Sequence, residues 1–147
     1  MTAGRNGPQA AILRPNEIAP RDRGGGARTI PLVTRKVGAT SFINGITIFD
    51  PGAGVPLHCH NCEESVVVLE GHAIIEIDGV EHQAGPDDTT FLPANIPHRF
   101  RNASQTERMR ILWIYASVDA TRTLVATGVT NTIDGEHAQP PSQPPGE

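Results

Sequence analysis

The sequence predicts an all-β barrel or sandwich, and three observations carry that expectation. Short runs rich in β-branched residues recur at close spacing. Turn residues separate them, with 15 glycines and 13 prolines in 147 residues. Helical periodicity is nearly absent. The length suits one domain with one core and two short tails.

Residues 1–28 read as an N-terminal arm, partly disordered because its start is small and polar. Within it, "RDRGGGAR" (Arg21 to Arg28) has the glycines of a phosphate loop. It lacks the Lys-Ser/Thr that ends such a loop, and no apolar helical pattern follows, so a flexible lead-in is expected. The barrel is assigned to residues 29–126. "TIPLVTRKV" and "TSFINGITIF" are β-branched runs, the second closed by Pro51-Gly52. "ESVVVLE" is continuously apolar, as for a strand covered on both faces. "HAIIEI", then Asp78-Gly79, then "VEHQA" predicts a type I′ hairpin, whose two central residues need positive φ. "TTFLPA" and "HRFRN" flank a proline-rich turn, and "RMRILWIYAS" is a further strand. Only Asp119 to Ala126 reads as weakly helical. Residues 127–147 form a C-terminal extension whose last fourteen residues, "DGEHAQPPSQPPGE", read as a disordered, solvated tail.

Composition excludes several functions. A net charge of −4 and a pI of about 5.8 give no electrostatic case for nucleic acid. No segment has the length and apolarity of a membrane span, and the N-terminus has no apolar signal-peptide core, so a cytoplasmic protein is expected. Two cysteines make no disulfide framework.

The chemistry-bearing residues concentrate in "PGAGVPLHCHNCEESVVVLEG", Pro51 to Gly71. His58 and His60 are two apart in a strand-like segment and so share a face, while Cys59 points the other way. Glu64 keeps the same parity if the strand continues. Pro97 holds the approach to His98 extended, so a second strand can bring His98 beside the first pair. Three imidazoles and a carboxylate then converge inside the barrel. That donor set suits one divalent transition metal (Fe, Mn, Ni, Cu or Zn) with open positions for substrate or water.

The neighbouring groups have plainer readings. A redox C-x-x-C usually opens a helix, whereas Cys59 and Cys62 lie on a strand and its bend. Cys59 reads as apolar filler and Cys62 as a residue near the pocket mouth. Glu63 reads as solvent-facing, unless a bulge at Asn61 exchanges it with Glu64. His72, His82 and His137 read as surface residues, and Arg99 and Arg101 as outward-facing. Phe100, Trp113 and Tyr115 read as core, or as the lining of a substrate pocket.

At these residues the sequence resembles the cupin family. Its first motif is a glycine, five residues, His-x-His, three or four residues, Glu, six residues and a glycine. Gly52, His58, His60, Glu64 and Gly71 satisfy it. Its second motif is a glycine, five residues, Pro-x-Gly, two residues, His, three residues and Asn. Gly85, Pro93, Asn95, His98 and Asn102 match it, with seven residues after Gly85 and asparagine at the position of the glycine. Asparagine tolerates left-handed backbone, so the turn is expected to survive.

The resemblance implies a double-stranded β-helix, or jelly-roll, barrel. It implies His58, His60, Glu64 and His98 as metal ligands, a turn-fixing role for Asn102, and a homodimer. Glu64 and His98 are the expected catalytic residues. The expected function is metal-dependent chemistry on a small oxygenated molecule, with dioxygenase chemistry placed first. A non-redox cyclase, isomerase or lyase like the small polyketide-cyclase cupins, or a non-enzymatic small-molecule-binding barrel, are the alternatives.

Overall fold

Alternating burial organises the chain into two facing antiparallel sheets in a computed structural model that describes residues 9–137. The strands are β1 (Arg21–Gly24), β2 (Ala27–Pro31), β3 (Ile43–Phe49), β4 (His58–His60), β5 (Glu64–Glu70) and β6 (Ala73–Ile77). They continue with β7 (Val80–Ala84), β8 (Thr89–Leu92), β9 (His98–Asn102), β10 (Met109–Tyr115), β11 (Thr121–Leu124) and β12 (Thr130–Thr132). A short α-helix, α1 (Ile133–His137), ends the described chain. The first sheet has the order β1-β2-β3-β10-β5-β8 and the second β12-β11-β4-β9-β6-β7. This is the jelly-roll expected.

The core lies between the sheets. Along β10 the residues Met109, Ile111, Trp113 and Tyr115 are buried and their neighbours half-buried, the period-two signature of a strand with one covered face. They oppose Val68, Val66 and Glu64 across β5, and Thr47, Gly45 and Ile43 across β3. Each buried Val, Ile or Phe in this layer contributes about 1.5–3 kcal/mol. Gly45 is required where it stands. A Cβ there would lie 2.5 Å from the Trp113 ring, so the indole packs directly on backbone.

The turns behave as their residues dictate. Asp78 and Gly79 both have positive φ, 50° and 85°, between the paired Ile77 and Val80, which is the two-residue hairpin expected. Asn95 adopts φ 65° at the position where the family motif has glycine, so the asparagine does take up the left-handed turn.

Four expectations are corrected. Arg21 to Arg28 is no flexible lead-in: it forms the β1–β2 hairpin, with Gly24, Gly25 and Gly26 at positive φ and the Asp22 Oδ1 accepting from the Gly24 amide. Asp119 to Ala126 is not helical: it contains β11, held to β4 on one side and β12 on the other. The apolar run of β5 alternates buried and half-buried residues, so its two faces are not equally covered. The C-terminal extension contributes β12 and α1, and α1 runs into the segment read as a tail. The remainder of that tail, and residues 1–8, lie outside the described residues. No helix among the described residues is long and apolar enough to cross a membrane.

Candidate metal centre and cavity

Strand register brings the predicted residues together. His58 on β4 pairs directly with His98 on β9, and His60 follows two residues on with its side chain on the same face. Glu64 begins β5 opposite Tyr115. Glu63 is exposed and Glu64 buried, so the bend at Asn61 keeps the register that points Glu64 inward. Asn95 fixes the approach to His98, its amide donating to the His60 carbonyl at 2.7 Å.

Each imidazole is oriented the same way. The Nδ1 atoms of His58, His60 and His98 lie 2.7, 2.9 and 2.8 Å from the carbonyls of Pro56, Thr121 and Ile96. A carbonyl only accepts, so each Nδ1 carries a hydrogen and Nε2 is the atom left for a metal. One ring nitrogen from each of the three lies within 4.8 Å of the others. Glu64 Oε1 stands 3.4 Å from His60 Nε2 and 3.2 Å from His98 Nε2. The three histidines form the tight set, and the carboxylate adjoins it.

These groups are short of partners. His60 Nε2, His98 Nε2 and Glu64 Oε1 are buried without a hydrogen bond. A buried polar atom left without a hydrogen bond costs about 1–3 kcal/mol. A divalent cation removes that cost, and imidazole nitrogens suit it. Burial and the mutual repulsion of the rings lower the pKa of His58 to about 3 and of His60 to about 2. Burial raises that of Glu64, against smaller opposing effects of His98 and the Tyr115 hydroxyl. Tyr115 is pushed well above its ordinary value by burial and by the Glu64 charge. The residues present therefore fit a metal.

A small cavity of about 40 Å³ lies beside His58, Glu64 and His98. Phe100, Trp113 and Tyr115, the three aromatic residues singled out in the sequence, all line it. Trp113 Nε1 donates to Thr47 Oγ1 at 2.9 Å, which satisfies the indole inside the barrel. Asn102 is buried and ties the turn behind the site. Its Nδ2 donates to the carbonyls of Phe49, Asp50 and Glu107, and its Oδ1 accepts from the Ser104 amide.

The other expectations divide. His72 and His82 are exposed, and Arg99 and Arg101 point outward to pair with Glu76 and Glu81. Both thiols are free, and neither cysteine lines the cavity. Cys62, rather than Cys59, packs against the core, and burial raises its pKa. His137 is not a surface residue. It is buried, stacks on Trp113 with ring centroids 5.4 Å apart, and lines the cavity. Burial and the nearby Arg23 and Arg21 lower its pKa to about 4. Arg23, Arg122 and Glu136 also reach this region without having been singled out. The arginines in "RDRGGG" and "TRTLV" carry no spacing that marks them.

Known proteins resemble this chain in both sequence and fold. The Cupin domain family matches residues 45–115. A protein named polyketide synthase CurC, from Streptomyces cyaneus, is 40% identical over 98 residues, covering 65% of this chain and 63% of that one. The chain thus spans just under two thirds of that relative. Protein SchB from Streptomyces halstedii is 32% identical over 100 residues, covering 67% of this chain and 72% of its own. Among solved structures, the polyketide cyclase RemF from Streptomyces resistomycificus superposes with a TM-score of 0.69 at 19% identity, covering 85% of this chain and 86% of that one.

Proposed function

The chain belongs to the cupin superfamily, and on that premise we propose that it is a metal-dependent cyclase that closes a ring in a small polyketone. The observation that carries the reading is the set of three Nδ1-anchored imidazoles, two of them with buried and unpartnered Nε2 atoms, beside an aromatic-lined cavity. The name of RemF, a polyketide cyclase, and that of CurC, a polyketide synthase, favour ring closure in a polyketide over the dioxygenase chemistry placed first from sequence. The fold itself serves both reactions equally well.

His58, His60 and His98 would hold the metal, with Glu64 beside them. When bound, the metal acts as a Lewis acid on a substrate carbonyl oxygen and makes the neighbouring C–H more acidic. The chain's residues do the rest. Glu64, buried and raised in pKa, takes the proton from carbon as the enolate forms. The enolate carbon then attacks a second carbonyl, and the new alkoxide takes up a proton. One C–C bond forms and no electrons leave the substrate, so no oxidant enters the balance. Phe100, Trp113 and Tyr115 hold the folded chain by its flat face and exclude water. The Tyr115 hydroxyl, opposite Glu64 in the strand register, positions that carboxyl.

The test is turnover of a β-dicarbonyl panel under strict anaerobiosis with Zn(II). Ring closure at full rate without oxygen uptake supports the cyclase. A strict requirement for Fe(II) and dioxygen would overturn it in favour of the dioxygenase.

A further inference from the structure

Outside the histidine site, the least ordinary feature of the cavity is a pair of arginines sharing one carboxylate. Arg23 comes from β1 in one sheet and Arg122 from β11 in the other, and both line the cavity. Arg122 pairs in register with His60, so its side chain leaves the strand on the face that carries the histidines. Glu136 Oε1 lies 2.9 Å from Arg23 Nη1 and 3.5 Å from Arg122 Nη2. The three side chains are only 12%, 15% and 19% exposed.

The pairing is incomplete. Two cations share one anion, and Arg122 Nε is buried with no acceptor, as is His137 Nδ1 with no partner. A guanidinium edge left open beside a cavity has the geometry for a second carboxylate. The groove adjoining the cavity is consistent with that. Arg23 and Val55 line both, and the charged residues along the groove are Arg23, Arg99 and Arg101, with no acid among its lining. Arg99 and Arg101 keep their own surface partners, but the approach is bounded by arginine on a chain whose net charge is −4.

Glu136 itself arrives on α1, five residues long and too short to hold its shape alone. Arg35 Nε lies 3.8 Å from Asp134 Oδ2, and the Gly135 amide donates to Thr132 Oγ1. Ile133 is buried and its amide donates to the Ala120 carbonyl, His137 stacks on Trp113, and Arg21 Nε donates to the His137 carbonyl.

We propose that Arg23 and Arg122 form a carboxylate subsite for a small aromatic or enolic acid, and that Glu136 occupies it as an internal stand-in until the ligand displaces it. This deepens the cyclase reading, on which it rests for the name of the natural substrate, by making that substrate an acid. The binding test itself requires neither turnover nor metal.

Trp113 is the only tryptophan and stacks on His137, so its fluorescence reports movement of α1. The full-length chain is titrated with benzoate and with its uncharged isostere benzamide, each with and without chelator. The expected result is saturable binding that favours benzoate by about tenfold, unchanged by chelator, with a change in Trp113 emission. Glu136→Gln, which removes the competing charge, should tighten benzoate by a further factor of about ten and leave benzamide unchanged. Arg122→Gln should erase the preference, and Arg122→Lys, which keeps the charge but not the fork, should retain part of it. Should Glu136→Gln fail to fold by circular dichroism, the wild-type and Arg122 titrations decide alone. Equal affinity for the two probes overturns the proposal, as does weaker benzoate binding in folded Glu136→Gln. Loss of the preference on chelation also overturns it, since the carboxylate would then sit on the metal. Absence of bound metal with the preference intact would remove the cyclase reading and leave this subsite standing.

Discussion

The histidine wall and the arginine pair line one cavity, yet the first leaves its polar atoms without partners and the second closes on a carboxylate of the same chain. Both bury charge-capable groups, which is costly unless they are paired. In the histidine wall every Nδ1 is satisfied by a carbonyl, while the Nε2 atoms of His60 and His98 and the Glu64 Oε1 are not, so the compensation has to come from something the chain does not supply. At the arginine pair Glu136 supplies most of it. The contrast separates a place shaped for an external cation from one that the fold has provisionally filled itself.

The strongest way to break that contrast is to remove one imidazole. His98→Ala should lower metal affinity by at least about 100-fold and abolish turnover, while far-UV circular dichroism stays that of the wild type. Arg122→Gln should leave metal content unchanged. Elemental analysis of both variants after reconstitution checks this, and equal metal loss in the two would mean that the sites are not separate.

The next effect is on pH. His58, His60 and His137 have folded pKa values of about 3, 2 and 4, below the ordinary 6.5 of the unfolded chain. Below 6.5 the unfolded state therefore binds more protons than the folded one, and stability is lost as pH falls. The slope approaches about 1.4 kcal/mol per pH unit for each histidine. Glu64, whose pKa is raised, works the other way, its contribution fading as pH rises above the ordinary carboxylate value. Three groups oppose one, so urea midpoints of the metal-free protein should fall steadily from pH 6.5 downward. Zn(II) should add stability at neutral pH, and that gain should shrink on acidification as protons compete for the imidazoles. Replacing His137 with Gln should flatten the metal-free slope by about one third of the histidine contribution.

The two regions also differ in how far the sequence revealed them. The histidines lie on strands whose period of two fixes their face, so parity grouped His58 with His60, and the spacing of the cupin motif chose Glu64 over Glu63. His98 was found because Pro97 enforces an extended approach. The hairpin at Asp78-Gly79 and the strand through Trp113 were legible for the same local reasons. The arginine pair was not. Arg23, Arg122 and Glu136 meet only because β1, β11 and α1 are brought together by sheet order, and no local pattern encodes that meeting. His137 was misread for a related cause. The polar, proline-rich residues after it have the composition of a solvated tail, whereas Ile133 and the Trp113 ring draw the start of that segment into the core. The glycines from Gly24 to Gly26 looked like a linker because glycine marks tight hairpins and loose loops alike.

A third buried polar cluster, fully paired within the chain, calibrates the comparison. Asn102→Ala removes the partner of three carbonyls and one amide. It should cost about 2–4 kcal/mol in urea denaturation. Metal affinity should change little, because the lost bonds hold the turn behind the site rather than the imidazoles.

The smallest expected effect tests how the turn at Asn95 serves the histidine wall alone. Asn95 sits at φ 65°, where a β-branched residue is strained and glycine is free. Asn95→Val should destabilise by about 1–2 kcal/mol, through the contact between its Cβ and the following carbonyl. Asn95→Gly should stay within about 0.5 kcal/mol of the wild type, the relief of strain offsetting the extra freedom of the unfolded chain. Because the Asn95 amide donates to the His60 carbonyl, strain at this turn bears on the spacing of β4 and the approach to His98. The valine variant should therefore weaken metal binding while leaving Trp113 emission, and with it the seat of α1, unchanged. A shift of both signals together would mean that the two regions move as one unit, and the division between an externally filled and an internally filled site would have to be given up.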